Sequence, residues 1–418
     1  MPQAIPAATF LDSLGVCTAV SRRHEDLEHT VECLRYLGLR WVRQSYESDV
    51  PVDDLLALHQ RTGVRFAYGP ASGGNDLDRL LDGGRRLAAA GALIAFEGNN
   101  EPNNWGVSYD GEFGGRDKSW LPVARLQRDL YARVKADPAL AGVPVWSLSE
   151  GGAQVDDVGL QFLTIPPGGG CAMPDGTRYA DYANVHNYLS HPTHPGLYDN
   201  QAWLAADPGP GCPVDGLYGN YGHTWRHHFA GYSQAQLDRL PRVTTEIGVL
   251  VDETFTEEVQ GRLYLSLYLA QFARGYQHTS IYLLRDRSDE EGNQSFGFYR
   301  PDYTPRPAAH YVHHLTSILA DPSRRAWPDV VDYRLLDAPD TVHDLLLQKG
   351  DGSVCLVVWG ERFDGGSDQV TVELGERAGE LRVYDPTVGV APVAVLAGVD
   401  RLELATSDRP WVICWQRG

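Results

Sequence analysis

Long apolar runs are missing from this chain. No stretch approaches the roughly 18–20 apolar residues that a bilayer-crossing helix needs, so none is expected. Positive charge is also in deficit: 36 basic against 55 acidic side chains leave a formal charge of -19. Such a field repels phosphate backbones and anionic lipid surfaces, which argues against nucleic acid or membrane as partners and favours a neutral or cationic ligand. Lysine occurs only at Lys118, Lys135 and Lys349, a scarcity that carries no mechanism. Met1 to Phe10 shows neither the basic start nor the apolar centre of a secretory signal. The six cysteines form no Cys-x-x-Cys pair and no zinc-ribbon spacing, so a redox dithiol and a structural zinc are not indicated.

Context divides those cysteines. Cys17, Cys33, Cys355 and Cys414 sit in apolar strand or helix patterns, where free cysteine packs as a small hydrophobe. Cys171 and Cys212 lie in Gly/Pro-rich loops. There a disulfide would restrain loose chain and point to a secreted or periplasmic location; two free thiols are the alternative.

A length of 418 residues suits a barrel of about 250 residues or somewhat more plus one small domain. From about residue 10 to 320, short apolar runs alternate with longer helical patterns, as in βαβ units around a parallel sheet. The runs lie near Ser13–Cys17, Leu39–Gln44, Val64–Tyr68, Leu93–Gly98, Pro144–Leu148, Tyr182–His186, Arg242–Glu246 and Thr279–Leu284. Between them, His24–Leu37, Asp76–Ala90, Leu121–Ala136, Glu257–Arg274 and Ala308–Ala320 show three- and four-residue apolar spacing, with Asn75 as one start signal and Gly38 and Gly275 as stops. The pattern predicts an α/β fold: a (β/α)8 TIM barrel over residues 1–322. Pro166 to Gly222, rich in Gly, Pro, His and Tyr, interrupts it as a long-loop wall of a cleft. Period-two runs then predict a small C-terminal antiparallel β-sandwich over 323–418.

The residues with chemical content stand at strand ends. In residues 92–103, Ala-Leu-Ile-Ala-Phe-Glu-Gly-Asn-Asn-Glu-Pro-Asn, a buried strand exits into a polar cluster, and Pro102 keeps Glu101 out of the following helix. In residues 241–248, Pro-Arg-Val-Thr-Thr-Glu-Ile-Gly, a second strand ends in Glu246, three units further round. Two carboxyl groups about 5–5.5 Å apart can cleave a glycosidic bond with retention, one as acid/base and one as nucleophile.

Asn100-Glu101-Pro102 at the fourth strand and Glu246 at the seventh resemble the clan A glycoside hydrolases, whose acid/base and nucleophile occupy those two strands. The likeness extends to Arg43 on the second strand and to His186-Asn187-Tyr188 after the sixth. Residues 281–286, followed by 296–299 and 304–308, look like the last strand and helix of family 39 and related family 5 members. The resemblance implies Glu101 as acid/base, Glu246 as nucleophile, Asn100 on the sugar 2-hydroxyl, and Arg43, His186 and Tyr188 in support. It implies no cofactor and no metal. Where many clan members carry a tryptophan platform after strand eight, this chain reads Arg285-Asp286, and Asp286 joins the substrate-binding candidates. Burial and a facing carboxylate are expected to raise the Glu101 pKa toward about 6–7.

Blander readings compete for other residues. Glu97 is expected to satisfy buried polar groups inside the barrel, and Glu150 to be a subsite residue or a loop cap. His191, His194, His223, His227 and His228 lack a completing ligand set and read as loop or substrate contacts. Trp105, Trp120, Trp203, Trp225, Tyr46, Tyr68 and Tyr109 are candidate sugar platforms, with Trp105 foremost; packing under loops is the alternative. The combined reading is a retaining O-glycoside hydrolase acting on an oligo- or polysaccharide. A transglycosylase of the same mechanism and a non-catalytic carbohydrate-binding protein are its alternatives. The sequence leaves the oligomeric state open.

Overall fold

A computed structural model describes residues 1–44, 50–151, 162–170, 172–189, 196–207, 231–287, 295–323 and 328–416. The eight apolar runs all form strands of one parallel sheet: β1 (Leu14–Thr18), β2 (Trp41–Gln44), β3 (Arg65–Tyr68), β4 (Leu93–Glu97), β5 (Val145–Trp146), β6 (Ala183–His186), β7 (Arg242–Ile247) and β8 (Tyr276–Ile281). Neighbours run β5-β4-β3-β2-β1-β8-β7-β6. A parallel bridge between Trp146 and Tyr182, with the Ser147 amide donating to the Tyr182 carbonyl at 2.9 Å, closes β5 onto β6 and completes the barrel. The eighth strand starts three residues earlier than its apolar run suggests. Gly275, at φ +91°, ends the preceding helix, and polar Gln277 and His278 conceal the strand's beginning.

Parallel strands covered on both faces read as continuous apolar runs, which explains how they could be found. The helices outside them obey local rules as well. Asp26 caps Leu27–Leu37 by accepting from the His29 amide, and Gly38 ends that helix at φ +70°. Asp76, rather than Asn75, caps Leu77–Ala89; the Asn75 amide donates instead to the Gly69 carbonyl. Val52–Thr62 is a further helix that periodicity does not single out, because only Leu55 and Leu58 of it are buried.

Inside the barrel, an apolar layer lies toward the strand beginnings. Trp41 and Trp146 meet edge to face at 5.5 Å, packed with Ala67, Ile94, Ala95 and Val243. Gly15 makes room for this layer: a Cβ there would lie 2.2 Å from the Trp41 indole. With that end filled by side chains, polar residues are left to the strand ends on the opposite side.

The C-terminal region is the expected antiparallel sandwich, with β9 (Tyr333–Leu336), β10 (Val342–Gln348), β11 (Val354–Gly360), β12 (Asp368–Tyr384), β13 (Ala394–Thr406) and β14 (Pro410–Trp415). Two of the period-two runs, Gln369–Leu374 and Glu380–Tyr384, are halves of β12, whose pairing with β13 is irregular between Glu373 and Ala378. Val354, Leu356, Val358, Val372, Leu381 and Ile413 fill its core. One expectation is corrected here. Cys355 and Cys414, read as separate packing residues, face each other across β11 and β14 and form a disulfide. Strand register puts them opposite, and sequence separation conceals it; Cys171 and Cys212 lie outside the described residues. Ile5–Pro6 pairs in parallel with Leu347–Gln348 of β10.

Barrel and sandwich share a continuous apolar core, in which Leu345, Leu347, Val357, Trp359 and Val412 join barrel residues such as Leu263 and Leu267. The buried Glu361 carboxylate crosses the seam, accepting from the Ala202 and Trp203 amides and from the Trp359 indole. Trp203 stacks on His343 at 4.0 Å, which makes it a packing residue rather than a sugar platform.

Because the Gly15 Cβ would be forced against a rigid indole, Gly15→Ala is expected to destabilise the chain by about 1–3 kcal/mol. A lowered midpoint in thermal or urea unfolding checks this, and an unchanged midpoint contradicts the close packing of Trp41.

Candidate active site

The exits of β2, β4, β6 and β7 carry Arg43, Glu97, His186 and Glu246, and the turn after β4 carries Asn100 and Glu101. All six are buried, a concentration of charge that an apolar interior tolerates only when each group is paired. Arg43 supplies most of the pairing. Its Nε donates to both Glu97 oxygens at 2.9 and 3.0 Å, its Nη1 donates to Glu246 Oε1, and its Nη2 donates to Asn100 Oδ1 at 2.8 Å. Burial alone would weaken a guanidinium's charge, but Glu97 and Glu246 together raise the Arg43 pKa well above its ordinary value. Glu97 is thus the buried partner the sequence suggested. It also accepts from Asn184 Nδ2 at 3.2 Å.

Glu246 is held on its other side by the Tyr188 hydroxyl, which donates to Oε2 at 2.7 Å. Burial, then the Glu246 charge, pushes the Tyr188 phenol far above its ordinary pKa, so it remains a donor. Glu101 Oε1 lies 2.8 Å from His186 Nδ1, and its Oε2 accepts from Asn104 Nδ2 at 2.7 Å. The Glu101 backbone is left-handed, at φ +40°, a conformation that residues other than glycine seldom adopt. It turns the side chain back over the strand ends before Pro102 opens a short helix. One carboxylate oxygen of Glu101, one of Glu246 and a His186 ring nitrogen lie within 4.8 Å of one another.

The electrostatics of Glu101 differ from the expectation. Burial raises its pKa, but the His186 contact, the Asn104 amide and the Arg43 charge outweigh burial and hold it below the usual carboxylate range. The sequence reading counted the desolvation and the facing carboxylate and missed both hydrogen bonds, because Asn104 comes from the following helix and His186 from β6.

Other candidates are redistributed. Asp286 is buried with both oxygens engaged, Oδ1 by the Gly297 amide and Oδ2 by Arg306, each at 2.6 Å; it braces the last loop instead of facing a sugar. The residue that does follow β8 toward the site is Tyr282, whose ring lies 6.3 Å from Tyr188 and 5.6 Å from Phe296. Sequence reading missed it by ending the strand three residues late. Trp105 is 58% exposed four residues after Glu101, whereas Trp120 is buried and the Tyr109 hydroxyl donates to Asp129. Tyr46, Trp225 and the five loop histidines lie outside the described residues, as do residues 171, 190–195 and 208–222 of the expected wall at 166–222.

Glu101, His186 and Glu246 are also the set among the described residues that could ligate a cation. Each already holds protein partners, and Arg43 places a fixed positive charge directly on Glu246. Chemically, the arrangement offers two carboxyl groups facing one another, one with two donors and one joined to an imidazole.

The fold is similar to that of several solved structures. A family 39 glycoside hydrolase from Bacteroides cellulosilyticus WH2 matches at 16% identity over 100% of this chain and 83% of that chain, with a TM-score of 0.60. CelM2, a bifunctional glucanase-xylanase from a metagenome library, matches at 12% identity over 99% of this chain and 97% of that chain, with a TM-score of 0.56. A family 30 subfamily 8 xylanase from Clostridium acetobutylicum matches at 11% identity, covering 97% and 96%, with a TM-score of 0.54. No family model matches the sequence, and no curated protein matches it. The resemblance to clan A glycoside hydrolases is therefore one of fold, a TIM barrel with an attached sandwich.

Removing the guanidinium would leave two buried carboxylates facing each other. Arg43→Ala is expected to cost about 3–5 kcal/mol of stability, and adding Glu97→Gln should recover part of it. Chemical denaturation of both variants checks this; a loss under about 1 kcal/mol for Arg43→Ala contradicts the pairing scheme.

Proposed function

We propose that this protein hydrolyses O-glycosidic bonds of an oligo- or polysaccharide with retention of configuration, and that residues 1–322 carry the catalytic barrel. The observation that carries the reading is that one carboxylate oxygen of Glu101 and one of Glu246 lie within 4.8 Å of each other, an approach that suits direct attack at an anomeric carbon. In this reading Glu246, oriented by Arg43 and Tyr188, attacks the anomeric carbon and forms a glycosyl ester. Glu101 passes a proton to the leaving oxygen, then takes one from the water that resolves the ester. Asn100, fixed through Oδ1 by Arg43, presents its amide to a sugar hydroxyl. The Tyr282 ring beside Tyr188 and the exposed Trp105 are the aromatic faces offered to the sugar.

The shared fold supports the substrate class, since the similar structures carry the names glycoside hydrolase, glucanase and xylanase. The sandwich fits the role of a buttress, because its core is continuous with the barrel's outer layer.

Glu246→Ala is expected to reduce turnover to background. Glu101→Ala should cut hydrolysis of poor leaving groups by about 10²–10⁴-fold, spare activated aryl glycosides, and regain rate with added azide. A screen of aryl glycosides and oligosaccharides, with the anomer of the first product recorded, tests the proposal. An inverted product, or equal and unrescued losses in both variants, would overturn it.

A further inference from the structure

Behind the facing carboxylates runs a buried line of polar side chains that the reaction itself does not require. Asn184 Nδ2 donates to Glu97 Oε1 and to the Ser147 carbonyl, each at 3.2 Å. The Thr245 hydroxyl donates to Asn184 Oδ1 at 3.0 Å, and Thr245 Oγ1 also lies 3.1 Å from His186 Nε2. Asn184, Thr245, His186 and Ser147 are all fully buried, so solvent does not supply alternative partners.

These contacts leave little choice of hydrogen placement. The Asn184 amide faces two acceptors, a carboxylate and a carbonyl, so its NH2 must point there and its oxygen toward Thr245; reversing it would set oxygen against oxygen twice. Thr245 has one hydroxyl hydrogen, and Asn184 Oδ1 takes it. Only a lone pair then faces His186 Nε2, and that nitrogen must carry a hydrogen. A ring protonated at Nε2 has either a bare Nδ1 or a second proton there. Nδ1 sits 2.8 Å from Glu101 Oε1, and two bare acceptors at that distance repel.

We propose that Glu97, Asn184, Thr245 and His186 form a positioning relay that fixes the His186 ring with Nε2 protonated, so that one proton is stored between His186 Nδ1 and Glu101. That one proton can sit on either group, as carboxylic acid with neutral ring or as carboxylate with imidazolium. Resting on the function proposed above, the relay gives Glu101 its supply. As the anomeric carbon–oxygen bond breaks and the bond to Glu246 forms, the stored proton leaves through Glu101 to the departing oxygen. A carboxylate then faces a bare Nδ1, and their repulsion favours recovery of a proton from water as its oxygen displaces Glu246. Arg43, Glu97, Glu246, Tyr188 and the Cys17 thiol also face this cluster, so the pair's titration is compared between variants that leave all five in place.

The test is nitrogen-15 NMR of the histidine rings in the full chain from pH 5 to 8, with the His186 signal identified by its loss in His186→Gln. The expected wild-type result is a protonated Nε2 at every pH. In Thr245→Val the lone pair is gone, and the neutral ring should shift to the Nδ1-protonated form, while Thr245→Ser should restore the wild-type spectrum. The alkaline limb of kcat/KM in Thr245→Val should move down by about one pH unit, since proton binding would then create an Nε2–H without an acceptor. A wild-type ring protonated at Nδ1 alone overturns the relay without any variant, and so does a Thr245→Val spectrum identical to wild type. Absence of hydrolysis on every glycoside tried, with Nε2 still protonated, would sink the proposed function and leave the relay standing.

Discussion

The site depends on one buried guanidinium. Arg43 neutralises Glu97 and Glu246 while also orienting Asn100, so three strand ends and a turn are tied to a single planar fork. A lysine would offer a point charge in its place and could not serve carboxylates in two directions with fixed geometry. The desolvation of two carboxylates is large, and only a partner with several rigid donors offsets it. The same fork explains why Glu97, which does not reach the reacting groups, is needed at all. It takes the Nε–Nη2 side of the guanidinium, leaving Nη1 to Glu246 while Nη2 also reaches Asn100.

Much of this was readable from the chain because each strand end combined an apolar run with one conspicuous charge. Glu101 and Glu246 could be named because each follows such a run and a barrel brings all such ends to one face, whereas Arg43, Asn100, His186 and Tyr188 were implied by the resemblance to clan A glycoside hydrolases. What escaped was whatever depends on register or rotamer. The β8 boundary shifted because Gln277 and His278 are polar, and with it the aromatic position moved from the expected Arg285-Asp286 to Tyr282. The Cys355–Cys414 bond required knowing that β11 and β14 are neighbours with those residues opposite. The left-handed backbone of Glu101 has no sequence signal beyond the proline after it.

The network also shows a division of labour inside the barrel. Toward the strand beginnings, Trp41 and Trp146 fill the interior with rings; toward the strand ends, the same interior is filled by ions and amides that satisfy one another. Rigidity at the first level holds the second in register, because a polar cluster with every group paired tolerates little displacement.

The pairing of Ile5–Pro6 with β10 bears on how the molecule comes into being. Ile5–Pro6 finds its hydrogen-bonding partner only after the eight barrel strands that lie between the two in sequence have been synthesised. Until then its edge groups must stay hydrated or associate wrongly. Closure of this seam therefore waits on Val342–Gln348, and a chain ending before residue 342 would hold the barrel strands without the partner that fastens Ile5–Pro6.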